Sequence, residues 1–232
     1  MFFKGCSLHC PWCANPENIS FDIQKYYDEE KNTNGIYGYE ISLDNLYDQI
    51  IKDKDFYENE GGVTFSGGEP LLKVSDIVEL LKKLKNEKVN ICFETSLFVP
   101  IDSLKTAINY ANEFIVDLKI LDKEDCQDIL GGNLDLYLSN LKYLFENFDV
   151  SRITIRIPVT NEYVLKNADK YVELLKKYKP NKVEIFKLHN LAEKKYKTLN
   201  KTMKKYSLID DNELNDFKNK LNKFCKVEIL NY

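Results

Sequence analysis

The sequence predicts a parallel α/β fold, and three observations carry that prediction. Short apolar runs rich in Val, Ile and Phe alternate with stretches of helical periodicity along most of the chain. The 232 residues are ample for one buried core. No low-complexity linker or repeat divides them, so residues 1–232 are expected to form one domain.

The elements follow in order. Phe2 and Phe3 make a very short first strand ahead of a cysteine cluster. Residues 18–39 are polar and Tyr-rich, with Asn34-Gly35, and read as a long loop or lid. Strands are expected over 62–65, 89–93, 114–118, 153–158 and 183–188. Between them, Ile77, Leu80, Leu81 and Leu84 share one helical face while Lys82, Lys83 and Lys85 point outward. Ser75 and Asp76 are candidate start residues for that helix. Residues 135–148, 163–178 and 212–224 repeat the pattern, and 227–230 offers a last strand. The segment of about 206–232 thus reads as a helix and a strand. Six such β-α units fit an open partial barrel or a doubly wound sheet. Both put ligand sites at the carboxyl ends of strands, where the cysteine loop follows the first strand.

Composition excludes several classes. Hydrophobic residues are 44% and charged residues 30%, which argues against disorder. No apolar run approaches the roughly 20 residues that span a bilayer. The net charge of −4 does not favour a nucleic-acid binder. That charge is uneven: residues 1–162 hold 16 Lys+Arg and 28 Asp+Glu, residues 163–232 hold 17 and 9. The basic rear is either a docking surface or a set of solvated Lys-rich helices, the second being the ordinary case.

Six cysteines divide into a cluster, Cys6, Cys10 and Cys13, and three lone residues, Cys92, Cys126 and Cys225. The opening MFFK leaves no room for a hydrophobic leader, so a reducing, cytoplasmic compartment is expected, where clustered thiols suggest metal. GCSLHCPWCANPE spaces them C-x3-C-x2-C. Three chemistries fit the residues: zinc with His9 or a distant fourth ligand, a redox thiol group, or an iron–sulfur cluster. In a cubane cluster, three thiolates leave one iron open to a small ligand.

With Trp12 before the last cysteine, this loop resembles the signature of the radical S-adenosylmethionine (SAM) superfamily. GGVTFSGGEPLL resembles the glycine-rich motif of that superfamily. CANPE, ETS at 94–96, VDLK at 116–119, GGNLDLYLSNLKYL at 131–144, IRIP at 155–158 and EIFKLHNLAEKKY at 184–196 are similar to the activating enzymes of glycyl-radical enzymes, the group that includes the pyruvate formate-lyase activator. The resemblance runs from residue 2 to about 196.

The resemblance implies a partial (β/α)6 TIM-like barrel, the radical SAM core, with a short or truncated first strand. It implies a [4Fe-4S] cluster on Cys6, Cys10 and Cys13 and SAM on the open iron. SAM is then cleaved reductively to methionine and a 5′-deoxyadenosyl radical, which abstracts hydrogen from a glycine Cα of a partner glycyl-radical enzyme. Trp12 would pack beside the adenine, and Gly67, Gly68 and Glu69 would hold the methionine end, Glu69 near its amino group. Glu94, Thr95, Asp117, Lys119, Arg156 and His189 match SAM-contacting positions. The acidic ones can hold a monovalent cation beside SAM, and Arg156 can pair with its carboxylate. A monomer served by a flavodoxin or ferredoxin donor is expected. The alternatives are a small-molecule radical SAM enzyme of the 7-carboxy-7-deazaguanine synthase kind and a non-catalytic zinc or iron–sulfur interaction module.

The sequence departs from the family pattern in four places. Relatives carry a longer stretch ahead of Gly5, so the first strand is expected to be stunted or the start to be late. Leu97 stands where a glycine is expected, and a branched residue resists positive φ, so that loop is expected to differ. Cys126 stands where relatives often have His. IRIP runs into Thr160 and Asn161 without the usual Pro-Gly. No second cysteine-rich stretch lies between Cys13 and Gly61, which matches the single-cluster type.

Overall fold

The computed structural model of the protein describes residues 1–58 and 61–231. Seven parallel strands form one sheet in the order in which they occur. They are β1 (Phe2–Phe3), β4 (Gly62–Gly67), β5 (Asn90–Thr95), β6 (Glu113–Asp117), β7 (Ile153–Val159), β8 (Lys182–Lys187) and β9 (Lys226–Ile229). Parallel neighbours need crossovers. Those crossovers carry α1 (Leu43–Ile51), α2 (Val78–Asn86), α3 (Ile101–Ile108), α4 (Lys123–Asp125), α5 (Leu134–Asn147), α6 (Ala168–Tyr178), α7 (Glu193–Thr198) and α8 (Asp211–Leu221). Sequential strand order with helical crossovers is the partial-barrel arrangement, so the doubly wound alternative falls. Among the described residues no helix is long and apolar enough to cross a membrane.

Alternation along the strands sorts the two faces. Phe65, Phe93 and Phe114 lie in register on β4, β5 and β6 and stack at 5.6 and 5.9 Å on the helix side. Each is fully buried, and burying one such ring is worth roughly 2–3 kcal/mol. Glu94, Asp117 and Arg156, at the alternate positions of β5, β6 and β7, point to the opposite, concave face.

Two expectations are corrected. The 18–39 segment is not a plain loop: β2 (Gln24–Asp28) and β3 (Thr33–Tyr37) pair as an antiparallel hairpin. Asn34 and Gly35 lie within β3, opposite Tyr27 and Tyr26, and the turn falls earlier, ending at Asn32 with φ 50°. The Tyr26 and Tyr37 rings stack at 4.2 Å and hold the register. Ser75 and Asp76 do not start a helix. Helical turns begin at Pro70, whose missing N–H suits the first position, and Glu69 caps them by accepting from the Leu71 N–H.

The two late departures also resolve. Leu97 does adopt φ 59°, the conformation a branched residue resists, and is fully buried there. Thr160 builds the turn after β7: its hydroxyl accepts from the Tyr163 and Val164 N–H groups, each at 3.3 Å.

Candidate functional site

Cys6, Cys10 and Cys13 line one cavity at the carboxyl ends of the strands, with Trp12, Ser66, Gly67, Gly68, Glu94, Asp117, Lys119, Arg156 and His189. The open space is about 240 Å³. All three thiols are free, and Cys92, Cys126 and Cys225 stay outside the lining. Burial pushes the Cys6 thiol up to about 11 and the Cys10 thiol up to about 12, and raises Cys13 as well.

The cysteine loop is held on three sides, two by backbone bonds and one by side chains. Gly68 N–H donates to Phe3 and Glu69 N–H to Gly5, both at 2.8 Å. These contacts explain Gly67 and Gly68. Gly67 has φ 112°, and a Cβ there would sit 2.3 Å from the Phe3 nitrogen; one on Gly68 would sit 2.2 Å from the Gly5 carbonyl oxygen. The close approach is therefore to the chain's own cysteine-bearing segment. On a second side, His9 N–H donates to Leu130 at 3.0 Å, and Gly131, at φ 71°, gives room for the His9 ring. The GGN motif thus supports the loop from below, a task its sequence did not announce. On the third side, Lys195 Nζ donates to Asn15 Oδ1 at 2.9 Å and Glu17 Oε1 at 2.7 Å, and the Tyr196 hydroxyl to the Pro11 carbonyl at 3.3 Å. Sequence reasoning quoted these residues only as motif letters.

Glu69 does not line the cavity. It is fully buried, and its carboxylate accepts from Leu71 N–H, the Thr95 hydroxyl, and both the N–H and hydroxyl of Ser96. Burial raises its carboxyl, with the Ser96 and Thr95 bonds opposing. Its four acceptor positions are spent on joining the glycine turn to the end of β5, which leaves none for a ligand's ammonium group. Thr95 is buried in the same knot.

The remaining charges are paired within the chain. Lys119 Nζ meets Asp117 Oδ2 at 2.8 Å. Burial works against the Lys119 charge, but Asp117 and the Cys10 and Cys13 sulfurs outweigh it and hold the ammonium well above its ordinary range. Arg156 binds Glu94 through Nη1 and Glu184 through Nε, the latter at 3.1 Å, and Lys182 closes on the other Glu184 oxygen at 2.7 Å. Glu94 and Asp117, expected to offer charge to a cation, thus already have counter-charges from Arg156 and Lys119. Trp12 is buried against Tyr163 and edge-on to Tyr206, at 6.0 and 5.3 Å between centroids.

Cys6, Cys10 and Cys13 are three thiol donors around one cavity. A thiolate set around a wider cavity suits a cluster with iron atoms at separate corners.

The comparisons agree. The family model described as the radical SAM superfamily matches residues 1–175. The pyruvate formate-lyase 2-activating enzyme of Escherichia coli (strain K12) is 31% identical, over 87% of this chain and 75% of its own length. The trans-4-hydroxy-L-proline dehydratase activating enzyme of Clostridioides difficile is 28% identical, over 89% and 82%. A solved domain of the pyruvate-formate lyase-activating enzyme from Bacteroides vulgatus superposes with a TM-score of 0.61 at 22% identity, covering 74% of this chain and 99% of that one, which shows a shared fold.

Proposed function

The chain belongs to the radical SAM superfamily and, within it, to the activating enzymes of glycyl-radical enzymes, and on that premise we propose which of its residues do the work. It is an enzyme that installs a radical on a partner enzyme. When bound, the [4Fe-4S] cluster and SAM supply the chemistry: one-electron cleavage of the sulfonium gives methionine and a 5′-deoxyadenosyl radical, which takes a hydrogen atom from a glycine Cα of the partner.

Cys6, Cys10 and Cys13 hold the cluster. The observation that carries this is their shared cavity, with Lys119 paired to Asp117 beside the sulfurs. Lys119 offsets thiolate charge where water is scarce. Gly67 and Gly68 bring main chain to the cavity for the methionine end of SAM. Glu69 and Thr95 fix that main chain in place and do not themselves reach the ligand. Arg156, with donors beyond the two it spends on Glu94 and Glu184, meets the SAM carboxylate. Trp12 packs beside the adenine, held by Tyr163 and Tyr206, and His189 closes the cavity from the end of β8.

Electron paramagnetic resonance tests the reading. Reduced, reconstituted protein mixed with SAM and a candidate glycyl-radical enzyme should give a glycyl doublet. SAM cleavage with no radical on any candidate would favour a small-molecule substrate. One zinc per chain in place of iron and sulfide would sink the enzyme reading. Cys10→Ala should abolish iron–sulfur absorbance.

A further inference from the structure

Residues 194–209, a stretch of 16 in an acidic chain, carry six lysines and no acidic residue. Three of the lysines are engaged: Lys194 with Asp28 and Glu30, Lys195 with Glu17, and Lys197 with Glu193 at 3.9 Å. Lys201, Lys204 and Lys205 are exposed; Lys204 acts at a distance on Glu162, helping to lower its carboxyl, and among the described residues none of the three forms a close ion pair. They lie on the irregular segment between α7 and α8. That segment turns Tyr206 inward, edge-on to Trp12 at 5.3 Å, while Lys204 Nζ sits 5.1 Å from the Tyr206 centroid on the outside. Trp12 is bonded to Cys13. One pair of rings therefore separates this basic surface from the cysteine loop. A groove of about 320 Å³ runs along the same place, lined by Trp12 together with Lys187, Lys204 and Lys205.

From this we propose that the surface around Lys201, Lys204 and Lys205 is the docking site of an acidic one-electron carrier protein. Two independent features meet there. Unpaired positive charge raises the encounter rate with an acidic partner. Its place beside Trp12 brings that partner close to the cysteine loop, which shortens the path for an electron. The balance is simple: the carrier is oxidised by one electron and the cluster on Cys6, Cys10 and Cys13 is reduced by one. A small, polar contact that forms and parts quickly suits this use. The inference rests on the reading that those thiols hold a redox cluster.

The test uses the reconstituted full chain and reduced, acidic bacterial flavodoxin as the probe. Binding is measured by calorimetry at two salt concentrations, alongside SAM cleavage driven by dithionite, which needs no docking surface. In Lys201→Glu/Lys204→Glu/Lys205→Glu, flavodoxin affinity should fall at least about tenfold and lose most of its salt dependence. Dithionite-driven cleavage should be unchanged. The matching Gln variant should fall between, which guards against misfolding of the first. Lys218→Glu/Lys220→Glu/Lys223→Glu, with the same charge change on and after α8, should bind nearly as wild type. Equal loss in both triple variants would show net charge alone at work and overturn the proposal. So would unchanged flavodoxin binding, or loss of glycyl-radical-enzyme binding in its place. Failure of dithionite to drive SAM cleavage in wild type would sink the activating-enzyme reading, and the binding arm would still decide the surface.

Discussion

Ser96 grips Glu69 twice: its N–H donates to one carboxylate oxygen at 2.8 Å and its hydroxyl donates to the same oxygen at 2.6 Å. Leu71 and Thr95 fill the other oxygen. Every partner is a donor, so only an acceptor pair fits. Glu69→Gln turns an amide N–H2 toward these donors, and a backbone N–H, unlike a hydroxyl, cannot rotate away. The expected loss is about 1–3 kcal/mol in urea unfolding, the cost of an orphaned buried donor. If Glu69 instead faced a ligand, the variant would unfold like wild type and lose only SAM affinity.

Leu97 gives a prediction that inverts a usual order. Its side chain is fully buried while its backbone sits at φ 59°, held by Asn140 donating to its carbonyl at 2.9 Å. Leu97→Ala loses the packing, about 2–5 kcal/mol, and keeps the backbone strain. Leu97→Gly loses the same packing but relieves about 1–2 kcal/mol of left-handed cost. The glycine variant should therefore unfold at the higher denaturant concentration of the two, and the opposite order would refute the strain argument.

What could be read from the sequence was the part governed by local pattern. Strands announced themselves by β-branched and Phe runs, and the cysteine loop by spacing. The bonds of Glu69 were not legible, because a carboxylate after Gly-Gly looks like a ligand group and three of its four donor groups come from Thr95 and Ser96, far along the sequence. The hairpin was missed because Asn-Gly is a turn signal that here falls inside a strand opposite two tyrosines. Lys195 was hidden among neighbouring lysines, and only the fold shows which of them reaches the cysteine loop. Leu97 was expected to resist positive φ, yet it adopts φ 59° with its side chain fully buried, because burial outweighs one strained backbone.

Lys195 ties α7 to the loop that follows Cys13. Lys195→Met keeps the stem and removes the bonds to Asn15 and Glu17. The Glu17 carboxylate, only 13% exposed, loses its bond to Lys195. The expected loss of stability is about 1 kcal/mol. The cluster should also release iron faster to a chelator, followed by loss of visible absorbance. Unchanged iron release would mean that the loop holds its shape without α7.

The buried thiols set an alkaline limit on the metal-free protein. Burial pushes Cys6 up to about 11 and Cys10 up to about 12, from an ordinary value of 9.0. The folded protein thus holds these protons more tightly than the unfolded chain. Their stabilising effect is complete below the ordinary value and is lost as pH rises from there toward 11 and 12. The unfolding midpoint of metal-free protein should fall above pH 9.0, and Cys6→Ser/Cys10→Ser should flatten that fall. A midpoint that is flat in wild type would refute the burial argument.

Arg156 bridges Glu94 and Glu184 from the strand between them, with Lys182 as a second cation on Glu184 alone. The two carboxylates are therefore unequal. Removing Arg156 leaves Glu184 its lysine and strips Glu94 of its ion pair. Arg156→Ala should cost about 2 kcal/mol, less than the roughly 3–5 of a fully buried pair, because the Arg156 side chain is 18% exposed. Adding Glu94→Ala should restore part of that loss, and adding Glu184→Ala should restore less. A double-mutant cycle in urea reads both couplings. Equal couplings would show that Lys182 does not shield Glu184, and no coupling to Glu94 would remove the basis for treating Arg156 as held by its neighbours.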